Sequence, residues 1–201
     1  MPGNYIPQDR YFKKAKEQGY RARSVFKLEE IQNNFHLIRP GGKVLDLGAA
    51  PGSFMQFIQK IIGDKGLLVG VDLTPITPFK KTNVKTYVGD IFDESVYQKI
   101  AKETGHSVFD VITSDLAPAT SGIKFVDAGR SFDLNSRALE VAKTHLKAGG
   151  HLLLKAFPGA DHAKLIAEAK KLFQKVHVAK PMAVRNTSRE EYIVCLRKKS
   201  N

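Results

Sequence analysis

The chain has 201 residues, of which 32 are Lys or Arg and 20 are Asp or Glu, giving a formal net charge of +12. That length suits one α/β domain, and a hydrophobic content of 42% with 16 glycines excludes a wholly disordered basic tail or a collagen-like repeat. A positive surplus of this size concentrates phosphates around the surface, so a polyanionic partner is expected, with a merely solvated basic face as the alternative that charge alone leaves open.

Met1 to Lys14 is polar and basic with no apolar centre, and no apolar run elsewhere approaches bilayer length. Asp9, Glu17 and the direct run into helical periodicity argue against an organelle presequence, so a soluble, unprocessed, cytoplasmic protein with no membrane partner is expected. Residues 8 to 34 read as two short helices separated at Gly19. The second places Val25, Leu28, Ile31 and Phe35 near helical spacing, with Ser24 as its N-cap. From Lys43 short apolar runs alternate with amphipathic stretches. Strands are expected over 43–48, 67–72, 84–88, 108–114, 150–156, 175–180 and 191–197, and helices over 53–62, 93–103, 131–147 and 161–173. This is the pattern of parallel βαβ units, a sheet with helices on both faces. Pro181 to Arg189 is too short for a crossover helix, so the last two strands should pair antiparallel. The whole chain, 1–201, is expected to form one domain acting as a monomer, with residues 1–40 as a basic helical segment packed on a 41–201 core. Cys195 is the only cysteine and the six histidines are scattered, so neither a disulfide nor a metal site is expected.

The first chemical signal is Val44-Leu45-Asp46-Leu47-Gly48-Ala49-Ala50-Pro51-Gly52-Ser53-Phe54, a strand entering a small-residue loop and then a helix. Small residues let a ligand approach the backbone at the carboxyl end of the strand, where open α/β sheets bind ligands. Ala50 replaces the second glycine of a dinucleotide fingerprint and Pro51 interrupts it, which disfavours a loop wrapped on pyrophosphate. The second strand ends in Asp72, placed to accept from both ribose hydroxyls. The third ends in Asp90, placed to take an adenine amino group. With no Gly-Lys-Ser/Thr phosphate loop in the chain, an adenosine ligand without pyrophosphate fits best, and S-adenosylmethionine is the obvious one. The candidate cofactor contacts on this reading are Gly48, Ala50, Pro51 and Ser53 of the loop and helix start, with Asp72, Leu73, Asp90 and Ile91 at the strand ends.

Four further segments stand out: Arg21 to Leu28, Ser114-Asp115-Leu116-Ala117-Pro118, Leu153 to Phe157, and Ser188 to Tyr192. With them the chain resembles the FtsJ (RrmJ-type) ribosomal RNA ribose 2′-O-methyltransferases from Tyr11 to Arg197, in the same motif order. The resemblance implies a Rossmann-like methyltransferase with a mostly parallel seven-stranded sheet and one antiparallel strand near the C-terminus. It also implies S-adenosylmethionine as methyl donor in contact with Gly52, Phe54, Asp72, Asp90 and Asp115, S-adenosylhomocysteine as product, and a catalytic tetrad on Lys27, Asp115, Lys155 and Glu190. Phe54 departs from bacterial relatives, which often carry Trp there; the ring is kept and the indole N–H lost.

Lys155 at the end of an apolar strand is unusual unless its amine is used. As a base it must be neutral to take a hydroxyl proton, which desolvation or the Lys27 cation would favour and the charges of Asp115 and Glu190 would oppose. The competing reading is a structural ion-pair network. Arg10, Lys13, Lys14, Arg21 and Arg23, interleaved with Tyr11, Phe12 and Tyr20, are candidate RNA contacts, with Arg189 and Arg185 extending the surface. The expected partner is ribosomal RNA or the large ribosomal subunit, with a uridine ribose as target. Transfer RNA ribose methylation, a non-catalytic RNA-binding assembly factor and a small-molecule methyltransferase are the alternatives. The last leaves the basic N-terminal segment unexplained.

Overall fold

The computed structural model describes residues 10–118, 123–184 and 188–200. Two helices, α1 (Arg10–Glu17) and α2 (Val25–Phe35), come first and are parted near Gly19, whose φ of +71° suits a residue without Cβ. Ser24 does not cap α2 as expected. It already has helical dihedrals, and its hydroxyl instead meets that of Ser53 at 2.8 Å, so a tertiary partner has replaced the local one. Leu28 and Ile31 of α2 enter the core, while Val25 and Phe26 form a smaller cluster with Ala15 and Ala183.

The rest alternates as β1 (Lys43–Leu47), α3 (Ser53–Ile62), β2 (Leu67–Asp72), β3 (Val84–Val88), α4 (Glu94–Thr104), β4 (Phe109–Ser114), α5 (Lys124–His145), β5 (Leu146–Ala156), α6 (His162–Leu172), β6 (Phe173–Ala179) and β7 (Glu191–Lys198). The seven strands lie in the order β3-β2-β1-β4-β5-β7-β6, and β7 runs antiparallel to both of its neighbours. Alternating side chains serve two cores. Leu45, Leu47, Val69, Val71, Ile112 and Leu154 face α4, α5 and α6, while Val44, Leu68, Val111 and Leu153 face α2 and α3.

Two boundaries differ from the periodicity reading by four residues or more. Helix α5 starts at Lys124, seven residues before the expected 131, and β5 begins at Leu146 instead of 150. The chain passes straight from helix to strand there, with a register shift between Phe109 and Val111 opposite. Gly149 at φ +77°, and Gly150, where a Cβ would lie 2.8 Å from the Asp110 carbonyl oxygen, permit that irregular start.

For the site, the insertion of β7 matters most. The parallel strands all finish at one edge, and an antiparallel β7 begins there, bringing Glu190 and Tyr192 beside the ends of β4 and β5.

Candidate active site

The turn after β1 is built on backbone bonds. The amides of Gly48 and Ala49 both donate to the Val71 carbonyl, at 2.9 and 3.1 Å. Gly48 has φ +72°, and a Cβ there would lie 2.7 Å from Leu116 Cδ2, so both conformation and space require glycine. Asp72 at the end of β2 accepts from the Ala50 amide through Oδ2 (2.9 Å) and from the Thr74 amide through Oδ1 (2.8 Å). These bonds orient the carboxylate and leave each oxygen a lone pair for a ligand hydroxyl. Asp90 receives the Phe92 amide on Oδ1 at 3.0 Å.

Between them lies a cleft of about 330 Å³, lined by Gly48, Ala50, Asp72, Leu73, Asp90 and Ile91, and closed on the far side by Asp115 and Leu116. Its size is in the range of small-ligand pockets. Two oriented carboxylates with spare acceptor capacity, set in a small-residue and apolar wall, match a ribose and an adenine, so the residues present fit S-adenosylmethionine.

Four of the candidate cofactor contacts do not line this cleft. Pro51 and Gly52 lie beneath the Arg21 guanidinium, which donates to the Pro51 carbonyl at 3.0 Å, and Gly52 has a φ of +104° that favours glycine. Ser53 is buried against Ser24, and Phe54 packs into the core with Leu28 and Ile76. The first turn of α3 faces α2, which turns those side chains away from the cleft.

The four tetrad residues form two pairs at the same edge of the sheet. Lys27 Nζ is 2.5 Å from Glu190 Oε1, with both side chains nearly buried. Lys155 Nζ donates to the backbone carbonyl of Asp115 at 2.5 Å and lies 3.2 Å from its Oδ1. The same Oδ1 accepts from Tyr192 Oη at 2.7 Å. Tyr192 stands opposite Lys155 in the β5–β7 register, so the two side chains share a face and converge on one carboxylate. Burial, followed by the Asp115 charge, holds the Tyr192 phenol well above its ordinary range, so it stays a donor. Asn135 on α5 donates to the Lys155 carbonyl at 2.9 Å and so fixes the backbone that carries the amine. Sequence reasoning assigned no role to Tyr192 or Asn135. The available signal for Tyr192 was its inward phase on the last strand, since a buried phenol needs a partner.

Asp46 lies beneath the site, fully buried, with Thr113 Oγ1 donating to its Oδ1 at 2.6 Å. Burial pushes its carboxyl up to about 8, opposed by the Thr113 bond and assisted by the charges of Asp115 and Asp72. Because the folded-state value is raised, the stability of the neutral acid is complete below the unfolded value near 3.8 and is lost as pH rises toward about 8. Asp46→Asn should therefore remove a decline in stability between about pH 4 and pH 8. Urea unfolding across that range checks it, and parallel pH profiles for the two proteins would contradict it.

The basic candidates divide by their partners. Arg21 is committed to the protein, donating to Pro51 and stacking on Phe79 at 4.2 Å, so it ties the loop after β1 to the loop after β2 and is not a free RNA contact. Arg23 donates to the Ala183 carbonyl at 2.6 Å, and Lys14 lies 4.4 Å over the Phe26 ring. Arg10 stacks on Tyr11, and Lys13 and Arg189 are exposed. Phe12 is 60% exposed, whereas Tyr11 and Tyr20 pack on Phe26. Arg185 lies outside the described residues. Among those described, no group of three His, Cys, Asp or Glu side chains is arranged to hold a metal ion, and no helix is long and apolar enough to cross a membrane.

Comparison with known proteins agrees with this geometry. The FtsJ-like methyltransferase family profile matches residues 20–198. "Ribosomal RNA large subunit methyltransferase E" of Syntrophobacter fumaroxidans is 44% identical over 96% of this chain and 98% of its own length. The protein of the same name from Bdellovibrio bacteriovorus is 46% identical over 97% and 99%. Among solved structures, a ribosomal RNA methyltransferase of Plasmodium falciparum superposes with a TM-score of 0.80 at 28% identity, covering 90% of this chain and all of that one. Human methyltransferase-like protein 13, solved with S-adenosylhomocysteine, shares the fold at a TM-score of 0.58 and 17% identity, over 86% of this chain and 84% of its own. With the family profile spanning residues 20–198 and relatives at 44% and 46% identity over nearly the whole chain, the chain belongs to the FtsJ-like methyltransferase family.

Proposed function

We propose that this protein methylates a ribose 2′-hydroxyl in large-subunit ribosomal RNA, with S-adenosylmethionine as donor. The observation that carries the reading is that Asp115 both borders the nucleoside-sized cleft and holds the buried Lys155 amine, so a base and a donor site share one carboxylate. The names of the large-subunit methyltransferase relatives supply the RNA class.

S-adenosylmethionine, when bound, supplies a methyl group on a sulfonium that is already activated for transfer. Asp72 would hold its ribose and Asp90 its adenine. What remains for the chain is positioning and proton removal. Lys155 Nζ, in its neutral form, accepts the proton of the 2′-hydroxyl. Asp115 and Tyr192 fix the direction of that amine, and Asn135 fixes its backbone. The Lys27–Glu190 pair borders the same edge, where Lys27 can orient the incoming ribose.

Incubation of the purified protein with unmodified large-subunit RNA and S-adenosylmethionine, followed by ribose-methylation mapping, tests the reading. A single new 2′-O-methyl is expected, with none on transfer RNA. Base methylation, or no product, would overturn it.

The donor pose has its own test. A bond to a charged group contributes about 1.5 to 3 kcal/mol, so Asp72→Ala should weaken S-adenosylmethionine binding by very roughly 10- to 150-fold. Titration calorimetry giving the same affinity for a folded variant would move the ribose elsewhere.

A further inference from the structure

A second recess lies at the opposite edge of the sheet, where β1, β4 and β5 begin and β7 ends. It has a volume of about 600 Å³ and is lined by Arg39, Lys147, His151 and Arg197, with Asp110 and Gly149 in its wall. Asp110 is the only carboxylate of the lining. It pairs with Lys147 and also accepts the Lys43 amide at 2.6 Å, so its charge is already engaged. Arg39 and Arg197 are exposed and have no ion pair among the described residues. Three cations against one carboxylate leave the recess net positive.

His151 reports that field. Its Nδ1 accepts from the Arg197 amide at 3.2 Å, so the neutral ring carries its proton on Nε2. Burial lowers its pKa first, and the charges of Arg39, Arg197 and Lys147 lower it further, so all three cations act on this one imidazole. A concave site with two uncommitted guanidinium forks and an imidazole N–H has the donors and the charge for a tetrahedral oxyanion.

We propose that this recess is a phosphate-binding site, which takes a backbone phosphate of the RNA substrate on the side of the enzyme opposite the methyl-transfer cleft. The proposal rests on the reading of RNA as substrate. The four steps of β1 from Lys43 to Leu47 alone span about 13 Å, so the two sites cannot be filled by one nucleotide. The recess therefore recognises the fold of an extended RNA or of a particle and contributes affinity without touching the reacting ribose.

The double variant Arg39→Gln/Arg197→Gln tests this in the full chain, because neither side chain belongs to the transfer machinery. The log-log dependence of large-subunit RNA affinity on salt should become shallower by about 0.7 to 0.9 for the one phosphate no longer neutralised, with S-adenosylmethionine affinity unchanged. In the wild type, inorganic phosphate should raise the His151 titration followed by NMR, and in the double variant it should not. An unchanged salt slope in a double variant that still binds S-adenosylmethionine overturns the proposal. A phosphate response without any change in RNA binding also overturns it, assigning the recess to a free anion. If the wild type methylates the RNA and the slope is unchanged, only the recess fails; if it forms no ribose product, the functional reading fails first.

Discussion

Lys155→Met is expected to lower single-turnover methylation by about a hundredfold to ten-thousandfold, the range contributed by a positioned general base. Methionine keeps most of the side-chain volume and removes only the amine. Lys155 is 7% exposed, so a shorter replacement would confound chemistry with a cavity. Asp115 would keep its Tyr192 hydrogen bond, which holds the carboxylate at the cleft border. Donor binding should accordingly survive, and calorimetry on the same preparation separates a lost base from a lost fold. Near-normal methylation by a folded Lys155→Met protein would make Lys155 structural and leave water or another group as proton acceptor.

Lys27→Met should act chiefly on stability. Lys27 and Glu190 meet at 2.5 Å with side chains only 9% and 11% exposed, so removing the lysine strands a nearly buried carboxylate. Such single-partner losses cost about 3 to 5 kcal/mol, whereas replacing both charges restores most of the loss. Urea unfolding of Lys27→Met and of Lys27→Met/Glu190→Gln should show that pattern, with the double variant the more stable of the two. The single variant should slow methylation less than Lys155→Met does, since Lys27 orients and Lys155 takes the proton. Equal stability of Lys27→Met and wild type would mean that water already compensates Glu190. A rate loss as large as that of Lys155→Met would assign proton transfer to Lys27.

Much of this architecture can be read along the chain. Apolar runs of five or six residues separated by amphipathic stretches dictate parallel βαβ units, because such strands must be covered on both faces. The short Pro181 to Arg189 link dictates an antiparallel return. Gly48 and the acids at 72 and 90 announce a nucleoside cleft at the strand ends, since chain direction alone puts those positions on one edge. The basic residues are less legible. Arg21 and Lys13 look alike in sequence, yet one bridges two loops and the other is exposed, because the carbonyl and the ring that engage Arg21 come from Pro51 and Phe79, far along the chain.

The element types, the strand polarity and the two acids of the cleft all follow from local spacing and composition. Tertiary structure alone decided how the tetrad divides into Lys27–Glu190 and Lys155–Asp115, and it turned Phe54 into the core. It also recruited Tyr192 through the β5–β7 register and brought Arg39, Lys147 and Arg197 around one imidazole. These outcomes depend on which strands become neighbours and in what register, and register is fixed by packing of whole faces of the sheet, a global condition that no short stretch of residues encodes.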